Sequence, residues 1–485
     1  MTIDQLLDRR KFYINGAWVA PRSADEVEVI NPSTERACAV ISFGSTADTD
    51  AAVAAANAAF LSWSQTSIDE RIALLEDLLA VYTSRSDEMA EAISLEMGAP
   101  IDLAKTAQVG AGGSHIKSFI RALQAFEFER PLGPHAPGDR ILYEPVGVCA
   151  LITPWNWPMN QVTLKVVPAL GVGCTMVLKP SEVAPLSSML FAEMVDEAGF
   201  PAGVFNLVNG DGAGVGTQLS GHPGIDMVSF TGSTRAGVAI TKNAADSVKR
   251  VALELGGKGA NIIFADADEK SVTRGVRQCF NNSGQSCNAP TRMLVERSIY
   301  DQAVNTATEV AEKTAVNIAA NEGRHIGPVV SQAQWEKIQG LIGKGVEEGA
   351  RLVAGGIGRP EGHEVGYFVR PTVFADVAPE MIIAREEIFG PVLSMLPFDT
   401  EEEAIEIAND TAYGLTNYVQ TGDIERARRV ARRLRSGMVE MNGQPRGAGA
   451  PFGGYGQSGN GREGGEWGIG EFLEVKSVSG WNQDT

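Results

Sequence analysis

From residue 146 onward the chain repeats one pattern: a short apolar run, a turn rich in glycine or proline, then a helical stretch. Apolar runs at 146–152, 175–178, 204–208 and 227–230 alternate with helical patterns at 185–198 and 212–219. Runs apolar at every position need cover on both faces, which parallel strands joined by crossover helices provide. A second series follows, with runs at 261–264, 292–295 and 392–396 and helices at 272–280, 299–315 and 401–408. The expected class is α/β, in two lobes.

Before this region, 12–19 reads as a hairpin around Asn15-Gly16. Residues 51–60 read as a helix. A second helix starts with Asp69 as N-cap and places Ile72, Leu75, Leu78, Leu79 and Tyr82 on one face. Gly98 and Pro100 are expected to close this helical region. Residues 121–147 and the last dozen fit neither series. Within them, 142–144 and 473–478 read as strands, packed on their own domain or pairing through an exposed edge with another subunit.

A chain of 485 residues is too long for one core. Its net charge of −19 argues against a nucleic-acid surface. A dinucleotide can still be held locally, by glycine turns and helix N-termini. No run approaches the ~20 apolar residues of a membrane span, and residues 1–12, with Asp4, Asp8, Arg9 and Arg10, lack a signal-peptide core. Five scattered cysteines (Cys38, Cys149, Cys174, Cys279, Cys287) suit reduced thiols in a cytoplasmic protein. The five histidines have no ligand spacing, so no metal site is expected.

Several segments sit where ligands gather in such sheets, at the carboxyl ends of strands. Thr153-Pro154-Trp155-Asn156-Trp157-Pro158 ends the first run, and the Asn156 amide could hold an oxyanion. Lys179-Pro180-Ser181-Glu182 ends the second; it reads as a ribose grip or as a helix start capped by Ser181. Gly210-Asp211-Gly212-Ala213-Gly214-Val215-Gly216 and Phe230-Thr231-Gly232-Ser233-Thr234 end the third and fourth, the former without G-x-G-x-x-G spacing. Glu386-Glu387-Ile388-Phe389-Gly390 pairs a carboxylate with a ring, and Pro451-Phe452-Gly453-Gly454-Tyr455 with Ser458-Gly459-Asn460-Gly461-Arg462-Glu463 is dense in glycine. Each fits an ordinary turn when taken singly. Glu254 (LELGGK) and Cys287 (GQSC), each read in a glycine-rich turn, supply a base and a nucleophile. A helix N-terminus near Cys287 is expected to lower its pKa.

Together TPWNWP, KPSE, FTGST, ELGGK, GQSC, EEIFGPV and PFGGY…SGNGRE resemble, in order and over nearly the whole chain, the aldehyde dehydrogenase superfamily. The resemblance implies a Rossmann-like NAD-binding domain (1–122 and 146–255) and an α/β catalytic domain (256–450, its end to about 469 returning to the first). It also implies a small β oligomerisation arm (123–145 and 470–485) and a homodimer or homotetramer. Cys287 would be the nucleophile, Asn156 the oxyanion donor and Glu254 the base that hydrolyses a thioester, with Lys165 and Glu463 assisting proton movement. NAD would be preferred over NADP because Glu182 faces the ribose, with Lys179 softening that preference. Further cofactor contacts would come from Thr153, Trp155, Gly212, Gly216, Phe230, Gly232, Ser233, Leu255, Glu387 and Phe389. Trp157, Gln161, Leu164, Ser286, Asn288 and Gly447 would line the tunnel for a small-molecule aldehyde. The small residues of Arg446-Gly447-Ala448-Gly449-Ala450 suit a bulky, aromatic or medium-chain one, as in bacterial degradative members. The competing readings are a relative that passes its thioester to coenzyme A, and a silent binding or structural relative.

Overall fold

The computed structural model describes residues 6–22 and 25–481. Residues 1–5 and 23–24, expected in the first domain, and 482–485, expected in the arm, lie outside the described residues. Among the described residues, two seven-stranded and two three-stranded sheets form the framework.

The first large sheet runs Arg250–Glu254, Met227–Thr231, Val148–Ile152, Thr175–Lys179 and Phe205–Leu207, all parallel. The hairpin Phe12–Ile14 and Ala17–Val19 extends it antiparallel. Asn15 and Gly16 turn that hairpin with φ of 53° and 74°, the two left-handed positions a two-residue loop requires. Cys149, Leu151, Met176 and Leu178 enter one apolar layer, and Val148, Ala150, Ile152 and Val177 the opposite one. Burial on both faces explains the unbroken apolar runs. Strand order reverses between Val148–Ile152 and Met227–Thr231, the switch point at which such sheets open a ligand crevice.

The second large sheet runs Arg351–Ala354, Thr372–Ala375, Val392–Phe398, Arg292–Glu296, Ala260–Ile263, Thr416–Gln420 and Met438–Met441. Only Arg351–Ala354 is antiparallel to its neighbour.

Three expectations about helix ends are corrected. The helix Ile68–Ser84 is capped by Ser67, not Asp69. Ser67 Oγ accepts from the Glu70 N–H (3.2 Å) and the Glu70 carboxylate accepts from the Ser67 N–H (2.8 Å), a reciprocal pair that Asp69 cannot make. Gly98 does end Ser86–Met97 with φ 81°. Pro100, however, opens a further helical run from Ile101–Leu103 to Val109–Ala125. A proline is tolerated there because the first N–H groups of a helix have no intrahelical partner. The stretch 121–125, which fitted neither series, is therefore the end of this helix. Ser181 caps nothing: the helix Leu186–Glu197 starts later, and its Leu186 and Ser187 N–H groups donate to buried Glu96, whose carboxyl burial pushes up to about 7.

The two stray strand segments pair with each other. Leu473–Val478 lies antiparallel to Ala136–Pro145, which also pairs with Glu129–Gly133. No helix among the described residues is long and apolar enough to cross a membrane.

Candidate active site

Helix Ser271–Phe280 ends in a tight turn, Asn281–Gly284, where Asn282 and Ser283 take φ of 52° and 56°. Left-handed non-glycine residues are strained and persist only when neighbours hold them. Here Asn282 Nδ2 donates to the carbonyls of Asn156 (2.9 Å) and Gln285 (3.2 Å), and Ser283 Oγ to that of Gly327 (2.8 Å). At Gly284 (φ 74°) a Cβ would overlap the Gly390 carbonyl, so only glycine lets the two loops meet.

Cys287 follows, half-buried, in a turn before strand Arg292–Glu296. No helix starts there, so the expected helix N-terminus is absent. Burial pushes the thiol up to about 12; the carboxylates of Glu387 and Glu254 add to this and Arg446 opposes it. The resting sulfur is a neutral thiol that needs a base to react.

Asn156 lies under this loop. Its Nδ2 donates to the Gln285 carbonyl (3.1 Å), leaving its second N–H free for an oxyanion, and its own carbonyl also accepts from Gln108 Nε2 (3.1 Å). Trp157 Nε1 donates to Ser286 Oγ (2.7 Å). Gln108, Asn282 and Gln285, whose Oε1 accepts from Val330 N–H, are functional supports that sequence reasoning missed. Each acts on a partner distant in the chain.

Glu254 closes the edge strand Arg250–Glu254, rather than lying within the glycine turn that follows. The glycine-rich segment of the C-terminal region crosses back onto this edge. The Leu255 N–H donates to Ser458 O (2.9 Å) and the Gly461 N–H to Leu253 O (3.0 Å). A Cβ on Gly453 or Gly461 would stand 2.8 or 2.9 Å from Glu254 Oε1, so the glycines let backbone approach the carboxyl. Both Glu254 oxygens are buried without a protein partner, a costly state that a stability role does not explain. Beside it Lys165 Nζ bonds Glu463 Oε1 (2.6 Å) and Ser229 Oγ (3.1 Å). Burial raises the Glu254 pKa well above the ordinary carboxylate range; Glu463 adds to this, and Lys165 and Arg462 oppose it. Cys287 and Glu254 thus sit within electrostatic reach of each other, the Glu254 charge adding to the rise of the thiol.

The neighbouring crevice fits a dinucleotide by its donor set. Lys179 is buried, its ammonium bonded to Pro180 O (2.9 Å), Gly210 O (2.5 Å) and Glu182 Oε2 (3.5 Å). Its three N–H groups are thereby engaged, and the Glu182 carboxylate is left partly open as an acceptor. Ser233 caps helix Thr234–Ala244 with Oγ to Ala236 N–H (3.3 Å), and exposed Gly212 begins a wide helical turn ending at Gly216. Thr153, one residue past strand Val148–Ile152, and Thr231, the last of Met227–Thr231, have buried hydroxyls lacking a partner. Gly232 packs against the Phe230 ring. The side chains of Phe230 and Leu255 lie in the apolar layer with Ile240.

Trp155 and Phe389 stand edge to face, ring centroids 5.4 Å apart. Phe389 has φ 61°, and Gln334 Nε2 holds its carbonyl (2.8 Å) while Lys337 Nζ holds that of Glu387 (2.8 Å). Glu387 Oε1 in turn accepts the Gly257 N–H (2.9 Å), tying this loop to ELGGK. Gln334 and Lys337, on helix Gln332–Glu347, carried no motif in the sequence.

The tunnel residues divide. Trp157, Ser286 and Asn288 surround Cys287 with partial exposure, and Gly447 is open, nothing standing within 4 Å of a Cβ there. Gln161 is buried with Oε1 unpartnered. Leu164 lines a small closed cavity behind Glu254 with Ser229, Ala252, Glu463 and Phe472, so it stands on the proton side of the base.

The Aldehyde dehydrogenase family matches this chain over residues 18–478. The 3-succinoylsemialdehyde-pyridine dehydrogenase of a Pseudomonas species is 54% identical over 476 residues, 98% of this chain and 99% of that one. A crystal structure of aldehyde dehydrogenase from Bartonella henselae, 61% identical, superposes with a TM-score of 0.97 over 98% of this chain and 100% of that one. Aldehyde dehydrogenase C of Pseudomonas syringae, a variant with alanine for cysteine in complex with NAD+ and octanal, is 49% identical with a TM-score of 0.96, covering 98% of each chain. By sequence and by structure, this chain belongs to the aldehyde dehydrogenase family.

Proposed function

We propose that this protein oxidises an aldehyde to the carboxylic acid with NAD as acceptor. The observation that carries the reading is the meeting of a half-buried thiol, Cys287, with a partnerless buried carboxyl, Glu254, beside the free amide N–H of Asn156. An aldehyde has no leaving group, so addition of sulfur produces an alkoxide whose collapse must expel hydride. Cys287 loses its thiol proton to solvent, its Sγ adds to the carbonyl carbon, and the Asn156 amide with the Cys287 N–H steadies the oxygen. Lys179, Glu182, Trp155, Glu387 and Phe389 would hold NAD, which would supply the hydride acceptor. The thioester left on Cys287 is hydrolysed by water that the ionised Glu254 deprotonates, the proton leaving toward Glu463, which Lys165 holds. Five free cysteines suit a reducing cytoplasm. The arm, with Val475 and Trp481 exposed, suits pairing of subunits into a dimer or tetramer.

The preferred substrate is a bulky aldehyde, because Gly447 leaves the mouth open, with no atom within 4 Å of a Cβ there. The relatives named for a pyridine semialdehyde and found with octanal agree in size. NADH absorbance with acetaldehyde, hexanal and benzaldehyde tests this. We expect kcat/KM to rise from the first to the larger two by about tenfold or more, the scale of a few buried methylenes. Acetaldehyde as the best substrate would remove the wide mouth, and no NADH with any aldehyde would remove the activity.

Cofactor choice follows from Glu182. A carboxylate accepts from a ribose hydroxyl and repels a 2′-phosphate, with no free lysine N–H to offset it. NAD should exceed NADP in kcat/KM by about a hundredfold; equal use would contradict the assignment, and Glu182→Gln should narrow the gap.

A further inference from the structure

At the mouth of the cleft stands Arg446, in the exposed segment after strand Met438–Met441. Its Nε lies 3.4 Å from Glu440 Oε1, and the Glu440 side chain is only 13% exposed. Its guanidinium stacks 4.8 Å over the Phe452 ring. Held from one edge and one face, the plane is fixed, and its Nη edge makes no hydrogen bond to a described residue. The charge acts on the Cys287 thiol, on Tyr418 and on His115. Tyr418 donates to Asn288 O (2.6 Å) and His115 pairs with Asn160 (2.8 Å). Glu440 lies opposite Tyr418 in the sheet, and Tyr418 holds Asn288, the residue after Cys287, so these contacts set Arg446 beside the cysteine loop, where the empty space at Gly447 leaves room.

We propose that Arg446 determines specificity by donating, through its Nη edge, to a neutral carbonyl oxygen at the far end of the substrate, so that keto-aldehydes are preferred. This rests on the oxidation reading above. A guanidinium donor to an oxygen acceptor makes a charge-assisted bond of fixed geometry. The buried carboxylate of Glu440 decides which acceptor is taken. A substrate carboxylate would compete with Glu440 for the same cation and meet its negative charge at short range, where solvent screens poorly. A ketone meets no such repulsion. The chain's net charge of −19 disfavours an anionic substrate further.

The test is kcat/KM with NAD for hexanal, 5-oxohexanal and succinate semialdehyde, in the parent enzyme, Arg446→Met and Arg446→Lys. The parent should prefer 5-oxohexanal to hexanal by about tenfold, the scale of one hydrogen bond to a charged group. Arg446→Met should bring that ratio to about one. Arg446→Lys, which keeps the charge without the planar fork, should fall between. Each ratio is taken within one protein, so loss of folded enzyme cancels. A parent ratio near one, or a ratio unchanged in Arg446→Met, overturns the proposal while the oxidation reading stands. Succinate semialdehyde as the best of the three overturns the neutral-acceptor assignment. Silence of the parent toward all three aldehydes removes the oxidation reading, and this proposal with it.

Discussion

Replacing Cys287 with serine should lower steady-state NADH formation by roughly three to six orders of magnitude and leave NAD binding intact. The loop that carries Cys287 is held by Asn282, Ser283 and Gln285, so the exchange of sulfur for oxygen changes chemistry and not position. A serine hydroxyl is harder to deprotonate than a thiol, and here even the thiol titrates near 12. The same shift sets the pH dependence of the parent. With the pKa raised, the neutral thiol persists above the ordinary cysteine range, and the thiolate fraction grows about tenfold per pH unit below it. The rate of sulfur addition should therefore climb from pH 7 toward pH 10, measured as the pre-steady-state burst of NADH. A flat burst rate across that range would mean that the thiol is ionised before reaction. A serine variant within tenfold of the parent would remove Cys287 as nucleophile.

The elements legible in the sequence were those whose signal is local. A strand buried on both faces is apolar at every position, so Val148–Ile152 and Thr175–Lys179 stood out, and the motifs at their carboxyl ends came with them. Helix Pro158–Val172, which carries Lys165, was missed for a related reason: it is buried almost throughout, and a helix apolar on every side has no 3.6-residue rhythm to read. Ser67 and Asp69 both look like caps; the acid three residues on at Glu70 decides between them. Gln108, Gln334 and Lys337 were invisible because each bonds a carbonyl brought close only by folding. The protonation state of Cys287 belongs to the same class. A nearby helix N-terminus was expected to lower its pKa, whereas its spatial neighbours include Glu387 and Glu254, which push the other way. A motif reports which groups meet. The field around them is a property of the fold.

Glu254→Gln separates the two halves of the reaction. Steady-state turnover should fall by about 10²- to 10⁴-fold, the usual worth of a positioned general base, while a burst near one NADH per active site survives and a thioester accumulates on Cys287. Glutamine fills the same glycine-lined space between Gly453 and Gly461 and removes a carboxyl that makes no hydrogen bond, so the variant should fold at least as stably as the parent. The sign of the pH effect follows from the raised Glu254 pKa, which burial and then Glu463 cause. A base must be ionised to take a proton from water, so hydrolysis in the parent is lost as pH falls through a value above the ordinary carboxylate range. In the variant that acid limb should disappear from the steady-state profile. Removing Lys165 as Lys165→Met should shift the limb the opposite way to adding positive charge, to higher pH, because Lys165 opposes the rise. Steady-state turnover within tenfold of the parent in Glu254→Gln would remove Glu254 as the hydrolytic base. Loss of the burst as well as the turnover would move its role forward, to deprotonation of Cys287 itself.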